Sequence, residues 1–314
     1  MLATAAWVQP AFGGTRPSVS FVRATIADSA KGIQQRAFDV LLKDAVEKTH
    51  CLEYVNTALR DSAARAHLAA KEPFTFKELH RELDVRYGAY FAVDRYGYLV
   101  RLATRIVDGK NTVLERNDLA LLQAIDTLEY SSAYEGAMRR MLKRVADTLA
   151  MVVDSACPVR VEPMLPVVVG AVVLHKIPKG FGMFLSDNAT RICNLAMARM
   201  SDSLRWDKRF LSVDLSSRDL LYSRLGEFGI QNTSMPSTQE VALMGATGIP
   251  VYLVAEIDSA DNYRKIGLTV YAYSTATDVA APLCTEHREV EPELEQIYRS
   301  LNELAYVVAN KCAE

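Results

Sequence analysis

The residues in this chain most able to do chemistry are Gly245-Ala-Thr-Gly248, preceded by Val241-Ala-Leu-Met244. In a dinucleotide-binding fold, glycines in such a turn let the backbone approach a pyrophosphate at a helix N-terminus. The enzyme this turn would serve is a nucleotide-binding α/β oxidoreductase. The pattern is incomplete. Val251 holds the third glycine position, and Pro250-Val-Tyr-Leu-Val254 reads as strand where the motif needs helix. Too little chain follows Gly248 for a full dinucleotide domain, and there is no Tyr-x-x-x-Lys proton-transfer pair. The histidines are His50, His67, His80, His175 and His287, and no two lie within helical reach of each other. That spacing excludes HExxH and a compact zinc set. There is also no G-x-S-x-G elbow and no Walker loop. Gly180-Phe-Gly182 is a lone loop motif.

Arg139, Arg140, Lys143 and Arg144 form a basic cluster. It could touch nucleic-acid phosphates, but the commoner use is a solvated face or salt bridges between subunits, the reading adopted here. Cys51, Cys157, Cys193, Cys284 and Cys312 are odd in number and far apart, with no CxxC. They read as reduced thiols. The sequence therefore assigns no catalytic, cofactor-binding or metal-binding residue, and no cofactor is expected.

Composition narrows the field further. With 314 residues, half of them hydrophobic, the chain can bury a sizeable core as one large domain or two ordinary ones. A net charge of −2 argues against a dedicated nucleic-acid grip. The most apolar run, Met164 to Leu174, is too short for a membrane span and contains Pro166 and Gly170. Residues 1–27 carry Arg16 and Arg23 and are rich in small residues, Ser and Thr. They read either as an organellar transit segment or as an extended arm, to which Ser18-Val-Ser-Phe-Val22 would contribute strand-like alternation.

The elements that must position these residues begin with Ile33 to Ala70, a helical stretch with a stripe through Phe38, Leu41, Leu42, Val46, Leu52, Val55 and Leu59. Phe74 to Glu115 is β-rich. Tyr96, Tyr98, Val100 and Leu102 alternate, and Asp108-Gly109 closes a hairpin between Ile106-Val107 and Thr112-Leu114. Asn117 to Ser155 reads as one long amphipathic helix, with Asn117 as its cap. About 38 residues would run roughly 57 Å, unless Ser131-Ser132 bends or splits it. Beyond it, Pro163 to Leu174 reads as buried strand and Gly182 to Leu185 as a short strand. A helix then runs from Asp187 or Asn188 to about Met200. Leu215 to Leu225 reads as helix, and strands follow at Ile230 to Asn232, Ile249 to Ile257 and Ile266 to Tyr273. Pro292 to Leu304 is helical, with Ala305 to Ala309 as a closing strand. No internal repeat is visible.

This order of parts resembles the tailed-phage major capsid proteins, whose shared architecture is the Hong Kong 97-type fold. Gly182-Met-Phe-Leu-Ser-Asp-Asn188 before a helix is similar to that family's strand presenting an asparagine or aspartate. Leu220 to Ile230, then Gly245-Ala-Thr-Gly-Ile-Pro-Val-Tyr252, is similar to its helix, turn and strand. The chain departs from the family in being more helical over Ile33 to Ala70 and in having helix at Pro292 to Leu304. The resemblance implies an α+β chain. Its parts would be an N-terminal arm and helical region (1–72), an extended β-rich loop (73–116), a spine helix (117–157) and a mixed α/β body of peripheral and axial domains (158–314). It implies a non-enzymatic subunit of an icosahedral shell around double-stranded DNA, arranged in hexamers and pentamers. Portal, scaffold or cement proteins would be its partners, contact with the packaged DNA would be non-specific, and no membrane would be involved. Its place would be the virion capsid, assembled in the host cytoplasm.

Overall fold

The structure, a computed structural model, describes residues 16–21, 24–55, 57–71, 75, 78, 81–109, 111–130, 132–161, 163–175, 189–224, 226, 232–260, 264–276 and 281–313. The chain is α+β, as expected, and is built on two mixed sheets. Sheet one has the order β3-β1-β4-β5-β6, and β2 also pairs with β4. Its strands are β1 (Ser18–Phe21), β2 (Thr25–Ile26), β3 (Glu53–Val55), β4 (Tyr87–Tyr96), β5 (Leu99–Asp108) and β6 (Asn111–Leu121). Helices α1 (Gln35–Lys48) and α2 (Thr57–Ala70) precede β4, and the one-turn α3 (Asp126–Glu129) and α4 (Ala133–Val153) follow β6. Sheet two has the order β11-β10-β9-β7-β8. It comprises β7 (Leu165–Leu174), β8 (Phe210–Val213), β9 (Val251–Ala260), β10 (Lys265–Ser274) and β11 (Cys284–Val290). Its helices are α5 (Ala189–Arg205), α6 (Leu215–Arg224), α7 (Thr238–Ala246) and α8 (Leu294–Ala313).

The two sheets repeat one topology, which the sequence hides. With β1 and β2, which both pair with β4, counted as one strand, the first strand in each lies between the second and third and runs parallel to both. The third, fourth and fifth strands then form an antiparallel meander, and a long helix closes the unit. Both first strands gain one residue on the third. Phe21↔Ala89 is followed by Thr25↔Ala92, and Val169↔Leu253 by Ala171↔Val254. The extra residue in β7 is a β-bulge. The fourth residue of the helix after the second strand is a buried arginine in both units, Arg60 and Arg218. Each donates through Nε and Nη2 to Oδ1 of the aspartate that follows it, Asp61 or Asp219.

Apolar periodicity explains the packing. Phe38 and Leu42 of α1 and Met141, Leu142, Val145 and Leu149 of α4 cover one face of sheet one, over Phe91, Val93, Leu102 and Ile106. Correspondingly, Met197 and Met200 of α5 and Leu301, Leu304 and Val308 of α8 cover Leu253, Leu268 and Val270. The opposite face of sheet two, with Val168, Tyr252 and Val254, is buried under Leu221 and Tyr222 of α6, Val241 and Met244 of α7, and Tyr96, Leu99 and Leu119 of sheet one.

Several expectations change. Asn117 does not cap a helix; it lies within β6, and the 117–157 spine is strand, turn and a 21-residue helix. Leu119 to Leu122 is a short apolar run, which by periodicity alone serves a strand as well as it seeds a helix. The suspected break is where α4 starts: Ser132 caps it by accepting from the Glu135 N–H. Ser18–Phe21 is not an outlying arm but an interior strand of sheet one, between β3 and β4, with Val19, Ser20 and Phe21 buried. Ile33 to Ala70 divides into two helices around β3. Ala305 to Ala309 continues α8, since Leu301, Leu304, Ala305 and Val308 share its buried side. The hairpin at Asp108-Gly109 is present, with Gly109 at φ +60° supplying the left-handed turn. The strand at Gly182 to Leu185, the cap at Asp187 or Asn188 and the start of the strand at Ile230 lie outside the described residues.

Candidate functional site

A cleft of about 590 Å³ lies where the two units meet. One wall is β6 and α4 of the first unit. The other is formed by the start of β7, the turn after α7, the end of β10 and the end of α8, with Val161, Pro163 and Met164 lining the cleft ahead of β7.

On β6, Arg116 and Asp118 are two residues apart and so share a face. Asp118 is almost wholly buried. It accepts from Arg116 Nη2 at 2.7 Å and from Arg144 Nε at 3.2 Å. Arg116 also donates to Thr148 Oγ1, and Arg144 Nη2 to the Leu119 carbonyl. Arg144 Nη1 faces the thioether sulfur of Met164 at 3.9 Å, a weak acceptor. Among the described residues of this cluster, two guanidinium groups share one carboxylate. Burial lowers the Arg144 pKa from its ordinary value, with Asp118 opposing and the Arg116 and Arg140 charges adding to the fall. At the rim, Arg209 holds Asp207 well below the usual carboxylate range, and the Tyr306 hydroxyl helps. The rest of the lining is largely apolar, with Pro163, Leu165, Pro166 and Pro250, while Asn310 places a buried amide oxygen there with no hydrogen-bond partner among the described residues. The cleft thus offers an apolar trough with a cationic floor, and no nucleophile–base pair is set up among these groups.

The glycine turn reaches this cleft in a different role. Gly245 lies in the last turn of α7, and the chain passes from that helix C-terminus into β9. A pyrophosphate cradle requires the opposite order, strand then helix N-terminus, because the C-terminal end of a helix carries partial negative charge. Gly248 has φ +93°, and a Cβ there would lie 2.7 Å from Cβ of Asn117. The glycine is therefore a joint that lets the second unit close onto β6. The cofactor reading of the turn is corrected on this geometry.

The basic cluster is paired within the chain. Arg139 binds Glu135 and Asp44, Arg140 binds Asp126, Lys143 binds Asp147 and Arg144 binds Asp118. The expected use is a solvated face or salt bridges between subunits; the ion pairs seen are within the chain, and the Lys143 side chain stays 68% exposed. His67 meets Glu82, His175 meets Glu256 and His287 meets Thr269; no group of metal-ligating residues occurs among the described residues. Cys51 and Cys157 form a disulfide, against the expectation of reduced thiols, because the fold brings the residue after α1 to the tail of α4. Cys193, Cys284 and Cys312 are free. Sequence reasoning missed the Arg116, Asp118 and Arg144 cluster. The Arg-x-Asp spacing would have exposed it had Asn117 been read as strand.

No helix among the described residues is long and apolar enough to cross a membrane. No family model and no curated protein matches this chain. Among solved structures it is similar to the hypothetical protein CT253 from Chlamydia trachomatis, with a TM-score of 0.33 and 11% identity over 45% of this chain and 99% of that one. It is similar to the LpoB C-terminal domain from Salmonella enterica, at TM-score 0.30 and 11% identity over 47% and 94% of the two chains. TolB from Acinetobacter baumannii gives TM-score 0.31 and 6% identity over 45% of this chain and 29% of its own. Likenesses of this size carry no argument about fold or function.

Proposed function

We propose that this chain is a non-catalytic binding protein that holds an anionic amphiphile between its two units. The observation that carries this reading is Arg144, largely buried at the cleft floor with Nη1 set against a sulfur while Arg116 competes for the same aspartate. A carboxylate at that point would accept from Arg144 and displace the poor Met164 contact, and an alkyl body would lie along Pro163, Leu165 and Pro250. Charge-assisted hydrogen bonds of this kind are roughly twice as strong as neutral ones. Calorimetric titration with octanoate and with octan-1-ol tests the idea. Octanoate should bind at least about tenfold more tightly, which corresponds to about 1.4 kcal/mol. Arg144→Gln should erase that preference, and Ala276→Trp should block both probes. Equal affinity for acid and alcohol, or no binding of either, sinks the reading.

A shell subunit of the Hong Kong 97 type is the second reading. It is favoured by apolar side chains that a single chain leaves in solvent: Leu128 is 85% exposed and Trp206 90%. Contacts between copies would cover them. Size-exclusion chromatography with electron microscopy decides: capsomers or shells support it, and a monomer at high concentration removes it.

A further inference from the structure

Cys284 opens β11 and Cys312 lies in the last turn of α8. Their sulfurs are 3.3 Å apart, with the Cys312 thiol directed at Cys284 Sγ, and both side chains are partly open to solvent. We propose that Cys284 and Cys312 form a second disulfide, which staples α8 to the edge of sheet two.

Three observations carry this inference, independently of the function proposed above. First, a disulfide needs a sulfur separation of about 2.0 Å, and the gap from 3.3 Å closes by side-chain rotation and a small shift of β11. That strand is at the edge of sheet two, paired only with β10 there, so no further strand in the sheet opposes the shift. Second, the helix and the strand are already held in register by ion pairs. Lys311 binds Glu286 and Arg288 binds Glu303, all on one face of β11 beside Cys284. Third, the first unit already holds a disulfide at the end of its closing helix: Cys157, just past α4, is bonded to Cys51. Conditions that maintain one pair supply the oxidant for the other.

The step balances by thiol–disulfide exchange with a small-molecule disulfide. Burial and the neighbouring Cys284 push the Cys312 thiol up to about 12, so its proton stays while Cys284 attacks. Cys284 forms a mixed disulfide and releases one small thiol. Cys312 then loses its proton and displaces the second, so the protein loses two electrons and two protons and the oxidant becomes two thiols. Cys193 is fully enclosed, with its thiol pushed up to about 11 by burial, and it stays reduced.

The test uses the full chain, incubated with oxidised glutathione at mildly alkaline pH, denatured in N-ethylmaleimide and mapped without reduction by mass spectrometry. The expected result is a Cys284–Cys312 linked peptide pair with Cys193 alkylated. Alkylation of both Cys284 and Cys312, or glutathione retained on each, would overturn the proposal. In Cys312→Ser, glutathione should be trapped on Cys284; an unmodified Cys284 there counts against the stated order of attack. The wild-type map decides the main point even if that variant fails to fold.

Discussion

The two units share an order of strands and helices but differ in what covers the second face of the sheet. In the second unit, α6 and α7 bury Leu221, Tyr222, Val241 and Met244 against Tyr252 and Val254. In the first, the corresponding α2 buries only Arg60 among the side chains described along it, and Leu59 and Leu68 stand 60% and 66% exposed. The face beneath carries Tyr90, Arg105, Glu115 and Asn117, and its apolar end, Tyr96, Leu99 and Leu119, goes to the second unit instead. One topology can thus carry a three-layer sandwich or a two-layer one. The choice rests on the segment between the second and third strands.

The largest test of this contrast is a charge placed on each second face. Val254→Asp, at a fully buried position, should cost more than about 4 kcal/mol or prevent folding. Ala103→Asp, on the open end of sheet one, should stay within about 1 kcal/mol. Urea midpoints at constant slope measure both, and similar losses would mean the first face is covered after all. The paired arginines come next. Arg218 donates Nη1 to the Val169 and Gly170 carbonyls at the bulge and Nη2 to Asn232, so Arg218→Met should cost about 3–5 kcal/mol. Arg60→Met should cost less, since among the described residues Arg60 Nη1 finds no acceptor. The disulfide follows. Cys51→Ser with Cys157→Ser opens a link across 106 residues and should remove about 2–4 kcal/mol, read as a lower thermal midpoint for amides of the first unit in hydrogen exchange.

The smallest effect belongs to Asp214. It precedes α6 and accepts from the Ser217 N–H and from the Ser216 and Ser217 hydroxyls. Burial alone would raise its pKa, but those hydrogen bonds outweigh it and hold the carboxyl below its ordinary 3.8. A folded-state pKa below the unfolded one stabilises above the unfolded value, and the gain is lost as pH falls through the folded pKa. Asp214→Ala should cost about 1 kcal/mol at neutral pH, with the difference from wild type vanishing in acid. A difference that persists at the lowest pH would count against the cap.

What the sequence made legible was periodicity. The apolar stripe of α8 through Leu294, Ile297, Leu301 and Leu304 was readable, as were β10 and the Asp108-Gly109 hairpin. β11 was not, because Cys-Thr-Glu-His-Arg-Glu-Val on a sheet edge has little apolar alternation to show. The tail of α8 misled because Tyr306-Val-Val favours strand locally, while packing of Val308 and Ala309 on sheet two overrides the preference. The repeat was invisible because topology conserves the roles of positions rather than residue types. The Arg60-Asp61 and Arg218-Asp219 pairs are a match among the described residues. The candidate site was hidden for a related reason: its charged groups come from β6 and α4, and reading both as one helix removed the turn that brings Arg144 back to Asp118.

The position of the closing helices has a consequence during synthesis. In each unit an interior strand is made first, yet the long helix that covers the core face is made after every strand of its sheet. By the time Val153 is made, the first unit has all its strands and both covering helices and can seal. The second sheet, with Leu268, Val270 and Ala272, stays without half its cover until α8 is complete. A chain halted before α8 is complete therefore presents a finished unit and, beside it, a sheet with half of one apolar face uncovered, the kind of species a holding chaperone binds readily.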